Sequence, residues 1–169
     1  TVEHMADVLI EFMKVINVES AHFVGAAEGG IYSMSIAQLY PDKVKSLTLC
    51  SPGSLTNKYP FFYKQLISPM VGEIYMSFLS KKKVSRFLNW IYFNKTNLTP
   101  AIERQTYEPY ESKATRNWLL YLLRDYNDSA VYSHLYLINC KTLIIWGEYD
   151  NTHPVSMSEK LISGIRKSS

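Results

Sequence analysis

Three short apolar runs, Ala21-His22-Phe23-Val24, Val44 to Cys50 and Leu143-Ile144-Ile145-Trp146, each stop at a turn-forming segment, and a helical pattern lies between the first two. Runs that are apolar on both alternating faces belong to strands buried on both sides, the habit of parallel sheets. A strand, a helix and a second strand packed into residues 21–50 leave room for one ordinary arrangement, the parallel βαβ unit. Strands are predicted at 21–25, 44–50 and 142–147. The helix between the first two follows Gly29-Gly30, is carried by Ile31, Met34, Ile36, Ala37 and Leu39, and stops at Tyr40-Pro41. An amphipathic helix precedes the unit, with Val2, Met5, Val8, Leu9, Phe12, Met13 and Ile16 at helical spacing and Thr1 and Glu3 at its start.

After Ser51-Pro52-Gly53, a turn signal, the pattern changes. From Tyr59 to about Leu135 it is helical and rich in aromatics, with interruptions at Pro69, at 94–100 and at Pro109. The third strand closes at Gly147, and Pro154 to Ile165 has helical spacing. The expected class is therefore α/β, a parallel sheet with a helical insertion: core segments at 1–55 and 136–169 flank a helical segment at 56–135.

Composition narrows the function classes. Apolar residues make up 47% and charged residues 20% of 169 residues, which excludes collagen-like and disordered chains. The balance of 18 Lys+Arg against 15 Asp+Glu, a formal net charge of +3, is too mild to argue for nucleic acid or an acidic membrane surface. No apolar run approaches the roughly 18 to 20 residues of a membrane span, and the start has no signal-peptide pattern, so the reading is soluble and cytoplasmic. Cys50 and Cys140 lack metal-ligand spacing and adjoin strand runs, as reduced structural thiols do. The sequons at Asn94, Asn97 and Asn127 read as chance matches, and Lys81-Lys82-Lys83 as a solvated helix start.

The segment that can carry chemistry is Gly25-Ala26-Ala27-Glu28-Gly29-Gly30, between the first strand and its helix. A sharp strand-to-helix turn brings backbones together, so glycines either side of its centre avoid clashes while the central side chain points to solvent. The spacing matches G-x-S-x-G with Ala27 at the centre. It does not match G-x-G-x-x-G or a P-loop, which needs Lys and Ser or Thr where Ile31 and Tyr32 stand. Alanine has no atom that attacks a carbonyl. Glu28 should point elsewhere at so sharp a turn, and Ser33 and Ser35 lie along the helix as packed or surface hydroxyls. Among the histidines, His4 and His22 lie at a helix start and a strand entry, His134 lies near the end of the insert, and His153 is expected in a surface loop.

His22-Phe23-Val24-Gly25, Gly29-Gly30, Leu39-Tyr40-Pro41-Asp42-Lys43-Val44 and Leu47-Thr48-Leu49-Cys50-Ser51-Pro52 keep the order and spacing of the α/β-hydrolase fold family. Thr142 to Asp150, continued by His153-Pro154, resembles that family's late strand and acid loop. The resemblance covers nearly the whole chain and implies a nucleophile elbow at Ala27, an oxyanion donor at the Glu28 backbone N–H, a triad acid at Asp150 and a cap formed by the helical insert. The base His of such a triad would lie beyond Ser169 and the early strands before Thr1, so the chain resembles an internal portion of a hydrolase of about 250 to 300 residues. A three-stranded sheet of this kind leaves the elbow strand with an exposed apolar edge, and 169 residues so arranged are not expected to fold stably alone.

What the resemblance implies is a serine hydrolase, carboxylesterase-like or cleaving carbon–carbon bonds, which transfers the acyl group of a small apolar ester or related carbonyl compound to water. It implies no metal and no organic cofactor, and it leaves oligomeric state open. With Ala27 in place of the nucleophile the chain as given would be inactive. Two explanations stand side by side: a deliberate Ser→Ala replacement in an active hydrolase, or a natural non-catalytic relative that binds ligands or partners. The elbow conformation costs about 1 to 3 kcal/mol, so a strained non-glycine residue there favours the first.

Overall fold

The computed structural model describes residues 1–53 and 61–169. The expected border at 55–56 and the expected helical start at Tyr59 lie outside the described residues. The chain forms two compact units, Thr1–Asn57 with Asn127–Ser169, and Lys58–Tyr126. Residues 127–135, which the sequence assigns to the insert, fall in the unit that holds the sheet.

In the first unit α1 spans Val2–Val15, and the Thr1 hydroxyl accepts the His4 N–H at 3.2 Å, a side-chain cap for a free helix N-terminus. Val2, Ala6, Ile10 and Met13 form its buried stripe, while Val8 and Phe12 stay exposed. Next come β1 (Ala21–Ala26), α2 (Glu28–Leu39), a 3-10 turn at Pro41–Lys43 and β2 (Val44–Cys50). The unit resumes after the insert with α8 (Ser129–Ser133), β3 (Lys141–Ile145) and α9 (Met157–Gly164).

Among the described residues the sheet runs in the order β1-β2-β3, all parallel. The register sets Phe23 beside Leu47 beside Thr142, and Gly25 beside Leu49 beside Ile144. Leu47 and Leu49 on the middle strand are fully buried, and α2 contributes Ile31, Met34, Ile36 and Ala37 to the same core. The elbow strand β1 is an edge, as expected, and Val24 on it is 73% exposed. On the other side the last residues extend the sheet: Thr142 N–H donates to the Lys167 carbonyl, and Ile144 N–H to that of Ser169.

The second unit holds α3 (Phe61–Ile67), α4 (Val71–Ser77), α5 (Lys81–Ile91), α6 (Pro100–Tyr107) and α7 (Lys113–Asp125). Its core is built on Leu66, Met76 and Leu120. Arg124 ties α7 to α4 through a two-pronged pair with Glu73, at 2.6 and 2.8 Å, and donates to the carbonyls of Ile67 and Ser68 as well. Guanidinium hydrogen bonding holds the Glu73 carboxyl at about 2. No helix among the described residues is long and apolar enough to cross a membrane.

Candidate active site

Parallel strands end together, so the loops that follow β1, β2 and β3 gather at one edge of the sheet, the place where open α/β sheets hold ligands. Ala27 stands at the first of these loops with φ 47° and ψ −119°, a left-handed backbone that a non-glycine residue adopts only under strain. Three hydrogen bonds hold it there. Its N–H donates to the Cys50 carbonyl at 3.0 Å, and its carbonyl accepts from Gly30 N–H at 3.0 Å and Gly53 N–H at 3.3 Å. Its methyl group is exposed.

The steric reason for glycine is real but differently placed than the sequence pattern implies. A Cβ on Gly25 would lie 2.4 Å from the Gly29 carbonyl oxygen, and one on Gly30 would lie 2.7 Å from Cβ of Pro52. One on Gly29 would meet nothing within 4 Å. The close approaches are therefore β1 against the first turn of α2, and α2 against the Pro52 turn.

Glu28 opens α2, and N–H groups of a first helical turn have no acceptor inside the helix. Its backbone is thus a ready donor beside Ala27, while its side chain turns along the helix to accept the Tyr32 hydroxyl. Burial, then this hydrogen bond and charge, push the Tyr32 phenol well above its usual range. Ser33 and Ser35 are buried, and the Ser33 hydroxyl donates to the Gly29 carbonyl at 2.8 Å, so neither offers a substitute nucleophile.

Asp150 lies in the loop after β3. Its Oδ1 accepts three hydrogen bonds, from Thr152 N–H at 2.8 Å, the Thr152 hydroxyl at 2.6 Å and His153 N–H at 2.9 Å. Burial works against its charge, but these donors together with the Ser51 hydroxyl outweigh it and hold the carboxyl below the usual carboxylate range. Asp150 Oδ2 lies 3.9 Å from His153 Nδ1.

His153 corrects the surface-loop expectation: it is 9% exposed. A Cβ on Gly53 would fall within 1.8 Å of its Cδ2 and Nε2, so the ring abuts the backbone that hydrogen-bonds Ala27. The Trp146 indole N–H donates to its carbonyl at 2.8 Å and fixes the loop. Burial lowers the imidazole pKa and the Asp150 charge opposes this only in part. The other side of the gathering is Ser51, at φ 41°, whose N–H donates to the Ile145 carbonyl at 2.8 Å and whose hydroxyl supports Asp150. In the sequence Ser51-Pro52-Gly53 reads only as a turn, and Thr152 carries no motif. The signal available for both was position: each follows a strand at the carboxyl edge.

His22 and His134 are engaged elsewhere, with Nδ1 against the Ser46 hydroxyl and the Ala130 carbonyl respectively. Cys50 and Cys140 are free thiols, and burial pushes Cys140 up. No group of three or more His, Cys, Asp or Glu among the described residues could hold a metal ion.

A parallel sheet with a strained strand-to-helix elbow and an acid loop after a later strand is the core of the α/β-hydrolase fold. Comparison with known proteins agrees. No family model matches the chain. It is 26% identical over 160 residues to a 2-hydroxy-6-oxo-6-phenylhexa-2,4-dienoate hydrolase of Comamonas testosteroni, covering 90% of this chain and 54% of that one. It is 24% identical over 162 residues to the uncharacterized hydrolase YugF of Bacillus subtilis, covering 95% of this chain and 59% of the relative. Among solved structures it superposes on a serine-to-alanine mutant of the meta-cleavage product hydrolase of Pseudomonas fluorescens IP01 with a TM-score of 0.80, at 18% identity, over 100% of this chain and 61% of the other. The chain has the α/β-hydrolase fold and spans little more than half the length of these hydrolases.

Proposed function

We propose that this chain supplies the elbow and acid of a carbonyl-directed serine hydrolase, disabled by alanine at position 27. The observation that carries this reading is the backbone of Ala27. Glycine would hold φ 47° without strain, yet a Cβ is present and aimed at solvent, as a residue type bearing a reactive oxygen requires. Ala27→Ser would add only that oxygen.

The reaction it would restore is acyl transfer to water. The introduced hydroxyl attacks the substrate carbonyl and gives its proton to a histidine base; Asp150 orients that base and the Glu28 N–H donates a hydrogen bond to the oxyanion. Collapse of the tetrahedral intermediate returns the proton to the leaving group, and water then releases the acid. The substrate class is a small, mostly apolar ester or related carbonyl compound, with the aromatic-rich helical unit serving as its cap. No step calls for a metal or cofactor. We place the protein in the cytoplasm, where Cys50 and Cys140 stay reduced.

The alanine itself favours a second reading, a protein that keeps the fold and binds an apolar ligand without turnover. The two separate on p-nitrophenyl esters with the longest available form of the protein: Ala27→Ser should release one equivalent of p-nitrophenol in a burst followed by turnover, whereas the Ala27 protein gives neither. A folded Ala27→Ser variant that binds ester without any burst would establish the non-catalytic reading.

A further inference from the structure

The chain-wide charge of +3 hides an uneven distribution. In the helical unit, α4 is apolar on two sides. One side is internal: Gly72 and Met76 are buried, and a Cβ on Gly72 would lie 2.2 Å from the Leu66 carbonyl oxygen. On the other side Met70, Ile74 and Phe78, at 76%, 58% and 69% exposure, line one stripe along the whole helix with Val71 beside them at 47%. A helix whose second face is also apolar and contiguous has a second apolar partner to meet.

What borders that stripe identifies the partner. Ser80 leads directly into α5 with Lys81-Lys82-Lys83 and then Arg86, and the Lys83 ammonium sits 4.7 Å over the Tyr75 ring, which sets the first turn of α5 against α4. Glu73 is the sole carboxylate between residues 70 and 86, and Arg124 holds it in the two-pronged pair described above. Among the described residues no ion pair engages Lys81, Lys82, Lys83 or Arg86. Lysine is depleted from protein–protein interfaces, while an apolar stripe with an aromatic end and a lysine cluster beside it is the composition of a helix that lies in an anionic bilayer surface.

We propose that the α4 stripe and the α5 lysines form a peripheral docking surface for an anionic membrane, with Met70, Ile74 and Phe78 entering the headgroup boundary and the lysines pairing with lipid phosphates. This is surface attachment and needs no spanning helix. It is independent of the hydrolase reading.

Flotation with phosphatidylglycerol/phosphatidylcholine vesicles, against pure phosphatidylcholine, tests it. The intact protein should float with the anionic vesicles, and less so as salt screens the lysines. The triple variant Lys81→Gln, Lys82→Gln, Lys83→Gln should lower the partition coefficient about 100-fold, roughly fivefold for each lysine. Ile74→Asp with Phe78→Asp should abolish binding while thermal melting followed by circular dichroism stays unchanged, since both side chains are exposed. Failure of the folded wild type to bind anionic vesicles overturns the proposal. So does binding that neither variant weakens, or a stripe found covered in a concentration-dependent dimer that ignores lipid.

Discussion

The elbow at Ala27 and the loop at Asp150 stand at the same edge of the sheet but are built by different physics. The elbow is fixed by close approach: backbones pass so near that Gly25 and Gly30 leave no room for a Cβ, and the residue between them is forced to positive φ. The acid loop is unstrained at Asp150 and is fixed by donors, three of them on one carboxylate oxygen. The elbow holds its shape with an alanine methyl group at its centre. The acid loop depends on polar atoms for its shape and could not lose them silently. Shape is thus set by close packing at Ala27 and by polar atoms at Asp150.

That contrast can be broken most sharply at Gly25. Gly25→Ala forces a Cβ onto the Gly29 carbonyl and should cost about 3 kcal/mol or more, whereas Gly29→Ala, with open space around it, should stay within about 0.5 kcal/mol of the parent or gain stability. Denaturant melts of the two variants check it, and equal losses would refute the steric account. In the acid loop, Thr152→Val keeps the shape and removes a hydroxyl donor to Asp150, which should cost about 1 to 2 kcal/mol at neutral pH, read from the same melts.

The pH dependence separates His153 from Asp150. The folded His153 imidazole titrates below its ordinary value of about 6.5, so as pH falls past that value the unfolded chain takes up a proton that the folded chain resists, and stability drops. Asp150, also depressed, loses its contribution only as pH falls below about 3.9. His153→Gln should remove the upper limb of acid destabilisation and leave the lower one. Melting temperature against pH decides this, and an unchanged upper limb would place its cause elsewhere. A modest gain is expected at the strained residue: Ala27→Gly relieves positive φ but adds unfolded-state freedom, for a net gain of about 0.5 to 1 kcal/mol.

Much of the fold was legible because the βαβ signal is local. Apolar runs and turn residues located β1, α2 and β2 to within a residue or two, and their parallel pairing places Gly25 beside Leu49. The elbow was legible for the same reason, since Gly25 to Gly30 is contiguous. What was not legible is tertiary. That Pro52, distant in sequence, is the neighbour forbidding a side chain on Gly30 follows from the sheet's closure. That Ser51 supports Asp150, and that His153 is buried on Gly53, depends on the loops after β2 and β3 meeting. The lysine run at 81–83 was visible, but only the folded unit reveals the exposed second face of α4 beside it.

The claim that the site is an intact hydrolase elbow lacking one oxygen is tested most directly by fluorophosphonate labelling with intact-mass readout on the longest available form of the Ala27 protein, its Ala27→Ser variant and the Ala27→Ser, Asp150→Asn double variant. The account predicts a single covalent adduct on Ala27→Ser, none on the Ala27 protein, and labelling slowed about 1,000-fold or more in the double variant. A folded Ala27→Ser variant that takes no label, or one that labels equally well without the Asp150 carboxylate, would contradict it.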